Sequence, residues 1–351
     1  MPGMTSLLTV IGAIEGANSG FENGFIGEIA ALTAAFLWAA ATLMFGQLGR
    51  QLSPLVLNLV KGLFAVVFIL LTLAMRQALS GAVVGFSLPL RATLYLIVSG
   101  GIGIGLGDTA YFSAINTLGA RRALLLETLA PPMTALMAWM FLSEQLSIIS
   151  VIGICLTLIG IAWVISERVL GVEHVKWGVG LKVALLAVFC QATGAVLSRA
   201  ALVDAAVDPL WSSLLRLVAG LAFMGLLATV QPYRLGEYLP LERQSDVLSS
   251  TMPLSNIELG SWQVRWQKSL SALKRPALLG AVALAAFFAT YLGIWLQQIA
   301  LKHTAAGIAQ ALLATSPLFV LPMAAALGDR PSLRSTLGAA IALVGVWILL
   351  A

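Results

Sequence analysis

The chain alternates long apolar runs with short polar breaks. Ten runs are read as membrane-crossing helices: about 26–47, 54–75, 91–115, 122–142, 147–166, 178–200, 209–230, 277–301, 306–327 and 333–351. A run of roughly 20 apolar residues is read as a helix because a helix satisfies its own N–H and C=O groups where no water can. Several breaks are so short that neighbouring helices must run antiparallel. Pro54 and Pro209 sit at or near first helical positions, where a missing N–H costs nothing. Ser53 and Asp208 precede them as candidate N-caps. Asp329-Arg330-Pro331-Ser332 reads as a stop followed by a restart.

The pattern occurs twice. Ser53-Pro54-Leu55 followed by Lys61 recurs as Asp208-Pro209-Leu210 followed by Arg216, offset by 155 residues. Pro132, Glu144, Gly153 and Gly160 recur as Pro317, Asp329, Gly338 and Gly345, offset by 185. Five helices per copy is an odd number, so the second copy enters the membrane upside down. The expected fold is an all-α polytopic membrane protein of ten transmembrane helices in two inverted five-helix repeats. Residues 1–25 form an N-terminal extension, 26–166 the first repeat, 167–177 a linker and 178–351 the second repeat. The difference between the offsets places an insertion of about 30 residues within the polar stretch 231–276. There, Trp262, Trp266, Leu270 and Leu273 share one helical face, with Arg265, Lys268, Lys274 and Arg275 around the other. That pattern suits a helix lying among lipid headgroups; a plain loop holding two tryptophans is the alternative.

Composition agrees. Hydrophobic residues make up 60% of the chain and charged ones 10%, with a mean hydropathy of +0.97. No monomeric soluble domain presents such a surface. The net charge of +5 does not indicate nucleic acid, because Lys and Arg lie mostly between the apolar runs, at headgroup level. Residues 1–25 lack a basic n-region and are not read as a signal peptide, so the first helix directs insertion. Cys155 and Cys190 fall inside apolar runs, and His174 and His303 stand apart, so neither a disulfide framework nor a metal site is expected.

Ionisable groups inside the spans are costly and point to function. Lys61 lies seven residues past Pro54, about 10 Å deep at ~1.5 Å per residue. Glu127 lies a similar distance past the Arg121-Arg122 turn, on a helix that starts from the same face. Asp108, counted back from the turn near Leu118, lies about 15 Å from that face. Lys61, Asp108 and Glu127 can therefore converge. The second copy supplies Arg216, but Gly293 and Leu312 stand where the first has Asp108 and Glu127. Its polar residues are neutral: Tyr291, Gln297, Gln298 and Gln310. A purely structural reading is also available. Lys61 with Glu127, and Arg216 with carbonyls at a helix end, would lock helices together, and long cationic chains can snorkel towards the interface. Trp38, Asn58, Tyr111, Asn116, Gln191, Trp211, Tyr291 and Trp295 are candidates for an aromatic, hydrogen-bonding pocket, although such residues also serve as packing or interface anchors.

Gly100-Gly101-Ile102-Gly103-Ile104-Gly105-Leu106-Gly107 does not fit a dinucleotide fingerprint. Its Gly101/Gly105 and Gly103/Gly107 spacings instead admit a neighbouring helix closely and can loosen the helix before Asp108. No Walker motif, nucleophile–base pair or metal-ligand cluster is present, so neither an enzyme nor a primary pump is expected, and no cofactor.

The chain resembles the EamA-type branch of the drug/metabolite transporter superfamily. The resemblance rests on Leu142-Ser143-Glu144-Gln145-Leu146 and Leu327-Gly328-Asp329-Arg330-Pro331 closing the fourth and ninth helices. Leu129-Ala130-Pro131-Pro132, Thr315-Ser316-Pro317, Gly153–Gly160 and Gly338–Gly345 add to it. It covers nearly everything from Phe25 to Ala351 except the insertion. It implies a bacterial-type inner-membrane carrier of small metabolites, working without ATP by alternating access. It also implies a central cavity between the first, third, fourth, sixth, eighth and ninth helices, and termini in the cytoplasm. The positive-inside rule places the termini on the other side: Arg50, Arg121, Arg122, Arg168, Lys176, Arg330 and Arg334 lie in odd-numbered loops.

The expected function is secondary transport of small polar or amphipathic metabolites across the lipid bilayer, as exporter or exchanger. The expected substrate-binding or coupling residues are Lys61, Asp108, Glu127, Arg216, Asn58, Trp38, Tyr111, Tyr291 and Gln298. Lys61 and Arg216 attract or orient an anionic group or balance the cavity, while Glu127 and Asp108 bind an amine or carry a coupled proton. The alternatives are an exchanger of phosphorylated metabolites and a non-transporting membrane scaffold subunit.

Overall fold

The computed structural model describes residues 25–48, 51–52, 54–80, 88–118, 123, 126–165, 177–203, 207–230, 269, 271–326 and 333–350. The N-terminal extension, Ser53, the Arg121-Arg122 turn, most of the insertion and the Leu327–Pro331 motif lie outside the described residues. Among the described residues there are helices and no strand, arranged as ten rods. They are α1 (Ile26–Leu48), α2 (Pro54–Ser80), α3 (Leu90–Ser99, Gly100–Gly107 and Asp108–Leu118 in succession), α4 (Ala130–Leu142) and α5 (Ile148–Ile165). The second half holds α6 (Trp177–Val203), α7 (Pro209–Val230), α8 (Pro276–Ala285, Ala286–Leu292 and Gly293–His303), α9 (Ala306–Leu313 and Ser316–Ala326) and α10 (Leu333–Leu350). Five apolar stretches are long enough to cross a bilayer: Val56–Leu79, Leu90–Tyr111, Gly178–Val203, Pro209–Leu226 and Pro276–His303. Five are shorter: Ile26–Ala41, Ala130–Leu142, Ile148–Val164, Ala306–Val320 and Thr336–Leu350. Large side chains such as Leu63, Leu71, Phe141, Ile148 and Trp347 face outward, as suits a surface bathed in lipid.

The internal relation of the halves is visible in packing. α5 and α10, which correspond at an offset of 185, form the most extensive helix pair. Gly153 lies against Leu349 and the Gly345 carbonyl, and Gly160 against Ala342 and the Gly338 carbonyl. Residue numbers rise along one helix as they fall along the other, so the pair is antiparallel. Shifting Gly153 and Gly345 by the repeat offset gives Gly338 and Gly160, the other contact, as a two-fold axis through this seam requires. A Cβ on Gly160 would overlap the Ala342 backbone, so only glycine permits the approach.

α4 and α9 depart from the expectation of unbroken runs. Each is interrupted, at Thr128–Leu129 and at Ala314–Thr315. The cause is the missing N–H of proline. Pro131 and Pro132 leave the Glu127 and Thr128 carbonyls without their partners one turn on, and Pro317 does the same to Leu313. Tighter bonds take over at both breaks: Leu129 N–H donates to the Leu126 carbonyl at 3.0 Å and Thr315 N–H to Leu312 at 3.1 Å.

One end of the bundle, that of the even-numbered loops, is fastened by charge. Ser143 ends α4 in the left-handed region at φ 56°, and the Glu144 N–H turns back to the Ala138 carbonyl at 3.3 Å. Glu144 Oε1 accepts from Arg199 Nε at 2.6 Å, and its Oε2 accepts from the first N–H of α9, at Ala306, at 2.9 Å. Arg199 Nη1 also donates to the Leu301 and Lys302 carbonyls at the end of α8. Nearby, Asp208 caps α7 through the Leu210 N–H at 2.7 Å and pairs with Arg76 at 2.9 Å, as its N-cap position predicts.

Two variants test the seam. Gly160→Leu is expected to force α5 and α10 apart and lower the thermal midpoint in detergent by several degrees, corresponding to about 2 kcal/mol or more. Gly280→Ala, where nothing lies within 4 Å of the added carbon, is expected to leave the midpoint unchanged or raise it slightly.

Candidate functional site

The site is built around α3. Its glycines are used on two sides. Gly103 and Gly107 lie against Gly194 and Cys190 of α6, and Gly101 and Gly105 against Phe223 of α7. Both small-residue spacings in the sequence are therefore realised as close packing. Gly100 meets the backbone of Arg216 itself, so closely that a Cβ there would overlap the Arg216 carbonyl. Ser99 strengthens the junction, donating to the Gly194 carbonyl at 2.6 Å and sharing a hydrogen bond with Ser198 at 2.9 Å. Along Gly100–Gly107 the helix widens to π-type turns, and it narrows again at Asp108. α8 widens at the corresponding place, Ala286–Leu292, without glycines. Wide turns in helices collect at functional positions.

Between the halves lies a cavity of about 240 Å³. α1 contributes Trp38, α2 Asn58, Lys61 and Gly62, α3 Ile104, Asp108 and Tyr111, and α6 Gln191. α7 contributes Arg216, Leu217, Leu221 and Met224, and α8 Ala289, Thr290, Ile294 and Gln297. The lining mixes charged and polar side chains with aliphatic ones. α2 and α7 thus line the cavity, whereas the resemblance implied α4 and α9 in their place. The physical reason is the bare glycine face of α3, which draws α7 and its Arg216 inward, with α2 at the corresponding place beside α8.

The two copies use equivalent positions differently. Asp108 of α3 faces Lys61 of α2, with Nζ and Oδ2 3.8 Å apart. In α8 the equivalent position is Gly293, and the space is taken by the Trp38 indole, which a Cβ on Gly293 would strike. Trp38 Nε1 is held by the Ala289 carbonyl at 2.8 Å, within the widened turn. Lys61 is matched by Arg216, which is only 2% exposed. The Nε and Nη1 atoms of Arg216 carry no hydrogen-bond partner among the described residues, and neither does Asn58 Oδ1. Asn58 Nδ2 makes a contact with Met224 Sδ at 3.4 Å.

Of the nine residues singled out by sequence, six line the cavity: Trp38, Asn58, Lys61, Asp108, Tyr111 and Arg216. Three do not. Glu127 sits at the break in α4, within electrostatic reach of Asp108 and Tyr111 but off the lining, and Lys61 forms an ion pair with Asp108. Tyr291 shares a hydrogen bond with Thr72 at 2.6 Å and packs at a tilt against the rings of Phe68, Phe287 and Trp295. Gln298 is fully buried between α7 and α8, accepting from Ser212 at 2.7 Å. Gln191 and Gln297 do reach the cavity, as neutral polar residues inside spans suggest. Met224 and Thr290 carry no such signal, since each is ordinary in an apolar helix.

A duplicated, all-helical bundle with a lipid-facing exterior and a charged hollow between its halves is the architecture of a multi-pass membrane protein. The EamA-like transporter family model matches residues 25–166 and again 178–351, and the chain belongs to that family. The family is one of membrane transporters rather than enzymes, and the chain is a membrane transporter. A solved structure titled "Crystal structure of protein" superposes with a TM-score of 0.66 over 92% of this chain and 96% of its own length, at 16% identity. That likeness concerns the fold alone. No curated protein matches the sequence.

A double-mutant cycle measures the ion pair. Lys61→Met and Asp108→Asn are each expected to destabilise, since each leaves a half-buried charge without its partner. The double variant should be less harmed than the sum by about 1–2 kcal/mol. Additive effects on the unfolding midpoint would show that the two charges are not coupled.

Proposed function

We propose that the chain is a secondary transporter that moves small polar or amphipathic metabolites, as exporter or exchanger, by alternating access through the cavity between its halves. The observation that carries this reading is the cavity itself, with Lys61, Asp108 and Arg216 gathered in its lining. Ionisable side chains at that depth are costly unless they face water, one another or a substrate. In this reading Lys61 and Arg216 orient an anionic part of the substrate, and Asn58, Tyr111 and Trp38 complete the contact surface. Asp108 and Glu127 serve an amine or a coupled proton. Tyr291 and Gln298 support the wall from behind. The setting is a cell inner membrane, with both faces of the bundle opening in turn.

Accessibility tests the reading directly. In a chain lacking Cys155 and Cys190, a cysteine at 61 or 108 should react with an impermeant thiol reagent from both sides of sealed vesicles. Reaction from one side only, under every condition, would rule out alternating access. The proton has its own test. Glu127→Gln is expected to abolish flux driven by a proton gradient while leaving the fold intact, and undiminished gradient-driven flux would remove Glu127 from coupling.

A further inference from the structure

Among the described residues, Arg199 is partly buried with its donors engaged, whereas Arg216 is buried with donors unengaged. Arg199 lies at a helix end, with Glu144 on its Nε and the Leu301 and Lys302 carbonyls on its Nη1. Structural arginines in membrane bundles use such partners. Arg216 lies mid-helix, where backbone carbonyls are already engaged, and its Nε and Nη1 donate to nothing among the described residues. At 2% exposure it is not reaching for the membrane surface. Its Nη2 rests over bare Gly103, 3.5 Å from where a Cβ would stand, so a glycine makes room for the guanidinium. Buried N–H groups without acceptors are costly to hold, the more so on a charged group. Arg216 is one of the side chains that line the cavity.

We infer that the cavity takes a small organic acid, whose single carboxylate docks on Arg216. This rests on the reading of the cavity as the substrate site. A carboxylate matches the planar guanidinium, each of whose two forks joins Nη2 to one of the unbonded nitrogens, Nε or Nη1. A phosphate monoester would call for a second cation, but the neighbouring cation Lys61 faces Asp108 at 3.8 Å. The unbonded Asn58 Oδ1 accepts a hydroxyl or amine hydrogen from the rest of the molecule. Trp38, Leu217 and Met224 give its apolar part a wall. A cavity of about 240 Å³ suits a small acid.

The test uses the full chain purified in detergent, with thermal unfolding as the readout. The probes are 2-hydroxypropanoate and 3-phenylpropanoate, their primary amides, and inorganic phosphate, each at matched ionic strength. Saturating acid is expected to raise the midpoint by about 2–4 °C, the amides are not, and Arg216→Gln should lose the rise. Arg216→Lys, which keeps the charge but not the fork, should retain a smaller rise. The comparison of acid with amide on the unaltered chain needs no variant and stands even if Arg216→Gln fails to fold. An equal rise with the amides, a rise with phosphate alone, no rise with either acid, or an undiminished rise in folded Arg216→Gln would each overturn the inference. Failure here with two-sided cysteine access intact would leave transport standing and remove only the carboxylate. Acid binding with one-sided access would do the reverse.

Discussion

Backbone-to-backbone approach at glycine is the constraint on which this molecule depends. In lipid there is little hydrophobic gain from pressing one apolar helix against another, so association relies on close packing and shared hydrogen bonds. Among the described residues, the chain meets that requirement at two places in particular. The Gly153/Gly160 and Gly338/Gly345 seam joins α5 to α10 across the two-fold axis. The glycine face of α3 brings α6 and α7 to backbone contact. The second contact also delivers Arg216 to the cavity, because the residue that touches Gly100 is Arg216 itself. Packing and chemistry are thus set by the same few missing side chains.

Duplication supplied the frame, and divergence at equivalent positions supplied the site. Lys61 and Arg216 keep charge at one depth in both copies. Asp108 and Gly293 do not: one gives Lys61 a counter-ion, the other gives the Trp38 indole its place. The result is a hollow whose cation on one half is paired and whose cation on the other has donors to spare. The widened turns at Gly100–Gly107 and Ala286–Leu292 recur at matching positions despite unlike sequences. They therefore belong to the shared frame, and the glycines of α3 serve its close packing.

Much of this was legible before any coordinates. Repeat offsets, helix positions, the Asp208 cap and the small-residue faces of α3 all follow from residue type and spacing. Six of the nine site candidates lie on one cavity because depth can be counted along a helix at a constant rise. Direction around the helix is harder to read. α4 and α6 are apolar on nearly every side, so periodicity does not say which face turns inward. In α3 the widened turns also break the regular rotation per residue just before Asp108. This is why the sequence places Glu127 beside Lys61, and the widened turn Ala286–Leu292 has the same effect for Tyr291 and Gln298 on α8. The breaks in α4 and α9 were written in Pro131, Pro132 and Pro317. Runs judged by hydropathy alone pass straight over them.

The clasp of Glu144 and Arg199 has a bearing on the balance between the two ends of the bundle. Carrying Arg199, Arg76, Asp208 and Lys302 across the repeat relation leads to Met44, Gln231, Ser53 and Thr117, none of which ionises, while Glu144 leads to Asp329. Among the described residues, the rim of the even-numbered loops is thus closed by ion pairs whose cations the repeat relation does not carry to the opposite rim. Opening that rim means breaking the Glu144–Arg199 and Asp208–Arg76 pairs, a cost set by residues that the doubled pattern does not dictate.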